Sequence, residues 1–345
     1  MLAKVKDFFA FLYLCKEKKI LGVTQVILPV KSKFGNDGYN LAELDKEGEY
    51  IIDSYRAIDP VKVLFYAPRE KVYPENGADV KRIVAGIKDC DLRGLKLLDK
   101  ALINENFVDP VYKKWRDDTI VITSDCMEIA PSCHCNLVGG KPYSEDGYDL
   151  NLSRVGDSYL VKVGSDKGER LVGEMRRYIK VESSSDEIEK LVEDNRASVL
   201  KRLEENNKDF ERGTDYERMR KISIEAWKEE SRDCVGCGGC NNICPTCYCV
   251  ILNDESKDKN FTKVRSYDSC QLTGYARVAG GANPRPKMYQ RFRNRYLCKF
   301  LYMKYNFDLL GCTGCGRCID VCPGEIEFRG VVKRIMEKEK SFQEA

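Results

Sequence analysis

The sequence predicts an α+β protein: an N-terminal α/β domain built on a parallel sheet, and a helical, cysteine-rich C-terminal domain. Two observations carry this. Residues 82–87 (RIVAGI) and 119–123 (TIVIT) are short runs without the polar alternation of a half-exposed strand. Strands buried on both faces, as in parallel sheets, read this way. Leu92, Leu95, Leu97 and Leu98 lie between them and predict a helix to about residue 103, so strand, helix and strand form a parallel unit. The second observation is a repeat. Cys234, Cys237, Cys240 and Cys244 precede Pro245, and Cys312, Cys315, Cys318 and Cys322 precede Pro323 with the same spacing. Residues 245–311 separate the copies, and the arginine-rich, apolar stretch around 291–300 reads as helical.

The chain has 345 residues, enough for two or three domains with real cores. Residues 8–14 (FFAFLYL) follow two lysines and precede Lys16-Glu17-Lys18-Lys19. No small-residue cleavage site follows, so an amphipathic first helix is expected, not a signal peptide. Residues 20–30 and 61–66 are β-rich. Residues 147–173 alternate and carry Gly-Asp turns, which predicts a β-meander. From 181 to 232 the chain is rich in Glu, Lys and Arg, with Ile188, Leu191, Val192, Val199, Leu200 and Leu203 at helical spacing. The expected division is 1–180 for the α/β domain, 181–232 for a charged helical bridge and 233–345 for the cysteine-rich domain.

Lys plus Arg number 58 against 55 acidic residues, a net charge of +3 that does not call for a nucleic-acid partner. The basic cluster Arg285, Lys287, Arg291, Arg293, Arg295 and Lys299 has sparse aromatic interleaving. Plain surface charge and compensation of a nearby buried anion are weighed equally for it. No stretch approaches the roughly eighteen apolar residues of a membrane span, so a cytoplasmic chain without membrane insertion is expected. Seventeen cysteines without an export signal point to metal ligation and not to disulfides.

Each repeat is C-x2-C-x2-C-x3-C-P, the run with which bacterial-type ferredoxins hold [4Fe–4S] clusters. Three thiolates on one short loop cap three irons of a cube, and the fourth points to the other cluster. Cys234, Cys237, Cys240 and Cys322 are therefore assigned to one cluster, and Cys312, Cys315, Cys318 and Cys244 to the second. Zinc ribbons also use C-x2-C pairs, but have no use for a third cysteine at the same spacing or a fourth before proline. Cys90 and Cys126 each close one of the two buried strands, at the sheet edge where α/β proteins open their ligand crevice. With Cys133 and Cys135 they make a candidate third [4Fe–4S] site, weighed against buried free cysteines and zinc. His134 stands between two of these ligands, and packing beside the site is the reading taken. Cys247, Cys249, Cys270 and Cys298 remain unassigned, and Cys15 reads as a core residue.

The long insert resembles that of α-helical ferredoxin domains, as in the iron–sulfur subunits of fumarate reductases. The order of KDCDLRGLKLLD (88–99), SDCMEIAPSCHCNL (124–137), DGYDL (146–150), CVGCGGCNNICPTCYC (234–249), SYDSCQ (266–271), AGGANPRP (279–286), RFRNRYLCK (291–299) and CTGCGRCIDVCP (312–323) resembles the family of sulfhydrogenase β subunits and their iron–sulfur counterparts in anaerobic sulfite reductases. RFRNRYLCK is closer to the hydrogenase branch. An aromatic is more usual at the position of His134, which leaves a ligand role for it open. The resemblance implies a hydrogenase-like electron-transfer subunit working between an NAD(P)-binding flavoprotein subunit with a [2Fe–2S] cluster and catalytic subunits. An equivalent subunit of a sulfite reductase or heterodisulfide-reductase-linked complex is the alternative within that class. A self-contained enzyme with a flavin in the N-terminal domain, and a zinc scaffold, are the alternatives outside it. The chain has no G-x-G-x-x-G after a strand and no nucleophile–base pair, so catalysis is expected in the partners.

Overall fold

A computed structural model describes residues 1–32, 38–46, 48–74, 80–212 and 215–343, with side chains described to residue 338. The chain opens with β1 (Leu2–Lys4) and α1 (Val5–Glu17), whose Phe8, Phe11, Leu12 and Cys15 are buried. These four recur at the spacing of one helix face, as the sequence pattern predicts. β2 (Val23–Lys31), β3 (Tyr39–Glu43), β4 (Arg69–Tyr73) and β5 (Lys81–Ile87) follow. α2 (Asp89–Leu102) leads through the two-residue strands β6 (Ile103–Asn104) and β7 (Phe107–Val108) to α3 (Pro110–Asp117) and β8 (Thr119–Ser124). Next come β9 (Leu150–Val155), β10 (Ser158–Val163), α4 (Asp166–Tyr178) and β11 (Val181–Glu182).

The main sheet runs β11-β1-β10-β9-β8-β5-β2-β3. Its centre, β2, β5, β8 and β9, is parallel, and the outer strands are antiparallel. One face packs α1 and α4 over Val26, Leu28, Ile83, Ile120 and Leu152. The other packs Leu92, Leu95, Leu98 and Tyr112 over Ile27, Val84 and Val121. β5 and β8 are neighbours, with Val84 opposite Val121. Their carboxyl ends therefore open side by side, which brings the start of α2 next to the loop after β8.

Beyond the sheet lie α5 (Asp186–Asn206), α6 (Ile224–Glu230) and the short α7 (Gly239–Asn242). The antiparallel pair β12 (Val250–Lys257) and β13 (Asn260–Tyr267) precedes α8 (Met288–Leu297), α9 (Met303–Phe307), α10 (Arg317–Asp320) and α11 (Phe328–Gln343). α8 runs into α9 through a π-helical turn, Cys298–Tyr302. A second aromatic core, with Trp227, Phe292, Tyr296, Phe300 and Phe328, joins α6, α8 and α11. The halves are stitched together: β13 pairs with β4 as well as with β12. The parallel sheet at the N-terminal end is as expected.

Three expectations are corrected. Val61–Leu64 is a 3₁₀ turn and not a strand. Pro60 sets the chain direction, the amide of Val61 donates to Asp91 Oδ1 at 3.3 Å, and the apolar side chains bury against α2. The meander stops after β9 and β10. Ser165 caps α4 by accepting from the Gly168 amide, and Leu171, Val172 and Met175 bury one helical face. The insert between the cysteine runs is not helical throughout, since β12 and β13 occupy its first part. Their charged side chains hide the alternation, and the turn between them uses Asp258 and Lys259 at φ 49° and 69°, the left-handed pair of a tight hairpin.

Candidate metal centres

The two cysteine loops share a backbone design. Gly236 and Gly238 in the first, and Gly314 and Gly316 in the second, all have φ between 69° and 77°, a region open to glycine and costly for other residues. Each loop thereby curls its first three cysteines toward one side and enters a short helix, α7 or α10. Cys234, Cys237, Cys240 and Cys322 line one cavity of about 30 Å³, together with Cys318 of the second run and with Phe292, Phe328, Gln271 and Arg295. The fourth cysteine of the second run thus sits with the first three of the first run. Cys244 lies in turn within electrostatic reach of Cys312 and Cys318. Its sulfur accepts from Lys299 Nζ at 3.2 Å and lies 3.3 Å from Thr246 Oγ1.

A third group forms at the sheet edge. Cys90 opens α2 after β5, and Cys126 follows β8, held by its amide to Pro142 O at 2.7 Å. Cys126, Cys133 and Cys135 are within electrostatic reach of one another, as are Cys90 and Cys126. The 132–135 loop docks directly on the second cysteine loop, where the His134 amide donates to Gly314 O at 2.8 Å. A Cβ on Gly314 would stand 2.4 Å from Cys135 Cα, and one on Gly316 would stand 2.4 Å from Ser132 O. Glycine at these two positions is what lets the loops touch. Cys315 consequently neighbours both Cys90 and Cys133.

Burial dominates the electrostatics. Desolvation pushes the Cys126 and Cys318 thiols up to about 12 and Cys312 up to about 11. A thiol this reluctant to ionise becomes a thiolate when a metal takes the place of its proton. The surrounding cations fit such a group. Lys88 is 2% exposed and donates to Ile52 O at 2.7 Å, Ser124 Oγ at 2.9 Å and Asp125 O at 3.2 Å. Lys62 is equally buried and donates to Cys247 O at 2.8 Å. Lys299, also 2% exposed, bonds Thr246 and Cys244. Among the described residues none of these three lysines forms an ion pair with a carboxylate. A buried ammonium is costly, and burial lowers the pKa of both Lys62 and Lys88; thiolates ligating an anionic cluster would favour the charged form. Arg317 is paired: its guanidinium, 1% exposed, binds Asp91 at 2.9 and 2.7 Å and ties the second cysteine loop to the start of α2.

Of the basic cluster weighed in the sequence, Arg291, Arg295 and Lys299 are 5%, 6% and 2% exposed. Plain surface charge is therefore overturned for these three. Arg295 faces Cys240, Cys318 and Cys244, and lies 4.7 Å over the Phe328 ring. Their helical spacing on α8 and its π-helical turn was the signal available in the sequence. His134 is buried, with Nδ1 2.9 Å from Ser132 O and Nε2 3.7 Å from Cys312 Sγ. Burial lowers its pKa to about 4, so it packs as a neutral ring against Phe328. Lys62 carried no motif, and Lys88, though it opens the KDCDLRGLKLLD segment, was not singled out by sequence reasoning.

All seventeen cysteines are free. Among the described residues no three His, Cys, Asp or Glu side chains form a group that could hold a single metal ion, and no helix is long and apolar enough to cross a membrane.

Residues 233–326 match the family model of the 4Fe-4S dicluster domain, which takes in all eight cysteines of the two runs. The chain is 31% identical over 316 residues to sulfhydrogenase 2 subunit beta of Pyrococcus furiosus, covering 88% of this chain and 90% of that protein. It belongs to the sulfhydrogenase β-subunit family. It is also 24% identical over 184 residues to the F420-dependent formate dehydrogenase subunit beta of Methanocaldococcus jannaschii, covering 52% of this chain and 39% of that protein. No solved structure matches it. The family-model match and the two relatives make this an iron–sulfur subunit of a multi-subunit redox complex.

Proposed function

We propose that this chain relays single electrons between an NAD(P)H-linked flavoprotein partner and a hydrogenase-type catalytic subunit. In this reading Cys234, Cys237, Cys240 and Cys322 hold one [4Fe–4S] cluster, Cys312, Cys315, Cys318 and Cys244 a second, and Cys90, Cys126, Cys133 and Cys135 a third. Residues 1–180 carry the third site, 181–232 bridge, and 233–345 form a ferredoxin-like dicluster domain. A bound [4Fe–4S] cluster supplies reversible one-electron chemistry. The protein's part is to hold thiolates, exclude water and supply positive charge. Lys88, Arg295 and Lys299 supply that charge, and Phe292 and Phe328 give the first cavity apolar walls.

The observation that carries the reading is the contact of the 132–135 loop with Gly314 and Gly316. It sets the N-terminal cysteine group against the second cysteine loop, as a wire requires. Phosphate-cradling loops and nucleophile–base pairs are lacking in the sequence, so hydride chemistry belongs to a partner. The test is reduction of the isolated chain, followed anaerobically in the visible spectrum. Dithionite should bleach it, and NAD(P)H should do so only after a flavoprotein partner is added. Turnover of NAD(P)H with a dye by the pure chain, above a blank, refutes the assignment. The alternative weighed in the sequence is a flavin in the N-terminal half. Flavin released by acid from the isolated chain would decide for it.

A further inference from the structure

We propose that Cys247, Cys249, Cys270 and Cys298 hold a further [4Fe–4S] centre beside the one ascribed to Cys244. The proposal rests on the reading that this chain carries cubane clusters, but on different residues. Three separate elements deliver these cysteines to one place. Cys247 and Cys249 follow the first run directly and lead into β12. The base of the hairpin then fixes the return strand: Val250 pairs with Tyr267, and the Asp268 amide donates to Cys249 O at 3.0 Å. Cys270 lies two residues beyond, and the Cys249 and Cys270 thiols hydrogen-bond one another. Cys298 opens the π-helical turn after α8, a local distortion that re-aims side chains and recurs at functional sites. It lies within electrostatic reach of both Cys249 and Cys270. Cys247 stands two residues before Cys249 and borders the group on the side of Lys299 and Lys62, where its thiol also interacts with Cys244.

The surroundings suit a ligated sulfur better than a free thiol. Cys270 is 8% exposed, and Asn241 Nδ2 donates to its sulfur at 3.0 Å. Gln271 Nε2 stands 3.6 Å away on the same atom. N–H groups turned on a cysteine sulfur are a means of tuning iron–sulfur clusters. Tyr275 hydrogen-bonds Cys249. The charge is unbalanced in the required direction. Lys62 and Lys299 are both buried without a carboxylate partner among the described residues, and Lys62 faces Cys247, Cys244 and Cys249. One cluster at Cys244 engages one sulfur of this neighbourhood and leaves Cys247, Cys249, Cys270 and Cys298 without a metal. A second cluster binds four thiolates, each releasing its proton to solvent, and its net negative charge offsets the lysines.

The experiment uses the full chain purified anaerobically, with iron, acid-labile sulfide and zinc measured in the parent and in Cys270→Ala, Cys298→Ala and Cys90→Ala. Cys270→Ala and Cys298→Ala should each lower iron and sulfide by about four atoms per chain, leaving zinc unchanged. Unchanged iron and sulfide in either soluble variant overturns the proposal, as does loss of zinc alone. Should neither variant fold, native alkylation of the parent with iodoacetamide decides. Cys249 and Cys298 should react only after iron is chelated, and reaction of either at full iron content overturns the proposal. Iron unchanged in Cys90→Ala but lowered in Cys270→Ala removes the third centre and keeps this one. A parent chain without iron overturns both.

Discussion

Removing the carboxylate of Asp91 should destabilise the chain far more than removing any exposed carboxylate. Asp91 and Arg317 are 2% and 1% exposed and bind through two N–H···O contacts. Asp91→Ala leaves the guanidinium with the carbonyls of Ala57 at 2.9 Å and Asp59 at 3.3 Å and without its bidentate carboxylate partner. Breaking a buried pair on one side costs about 3–5 kcal/mol, against a total stability of about 5–15 kcal/mol for a typical domain. The control is Asp117→Ala, which breaks the exposed Lys113–Asp117 pair, 47% and 61% exposed. An i,i+4 pair of that kind contributes about 0.3–0.5 kcal/mol. Anaerobic guanidinium unfolding followed by circular dichroism should show a large drop in midpoint for Asp91→Ala and almost none for Asp117→Ala. The pair also pins the second cysteine loop to the start of α2, so Asp91→Ala should shed iron at denaturant levels that leave the control intact. Equal midpoints for the two variants would refute the reasoning.

Three further outcomes follow from the cysteine groups. Cys244→Ser should perturb the spectroscopic signal of the centre held by Cys312, Cys315 and Cys318, and a loss confined to the Cys234 centre would show the interlocked assignment to be wrong. Cys90→Ala should lower iron by about four atoms per chain, as measured by colorimetric iron analysis; no change would leave those cysteines as core residues. Gly314→Ala should separate the 132–135 loop from the second cysteine loop, because its φ of 70° and a Cβ 2.4 Å from Cys135 Cα leave no room. The strain, about 1–3 kcal/mol, should appear as faster proteolysis between residues 126 and 140, and a proteolysis rate equal to the parent's would count against the docking.

Much of the candidate site was legible because ligand spacing is local. Two copies of one cysteine run can be read without knowing the fold, and so can strands whose apolar runs end at Cys90 and Cys126. The close pairing of β5 with β8 turned those two ends into one edge. What escaped was set by tertiary context. Residues 61–66 look like a strand, but Pro60 and the α2 contact make them a turn. The β12–β13 hairpin is masked by its own charges, since the strand is exposed and its alternation carries little hydrophobic contrast. Lys62 and Lys88 read as ordinary lysines, and only the fold shows them buried beside thiols. The convergence of Cys249, Cys270 and Cys298 needed the hairpin register and the π-helical turn, and neither is written in residue spacing.

The most direct test of the central claim is an anaerobic redox titration of the isolated chain followed by electron paramagnetic resonance. The account predicts that reduction brings up overlapping signals of reduced [4Fe–4S] clusters, integrating to about two or more spins per chain and broadened by mutual coupling because the cysteine groups touch. A colourless chain that holds zinc and stays silent on reduction would contradict it.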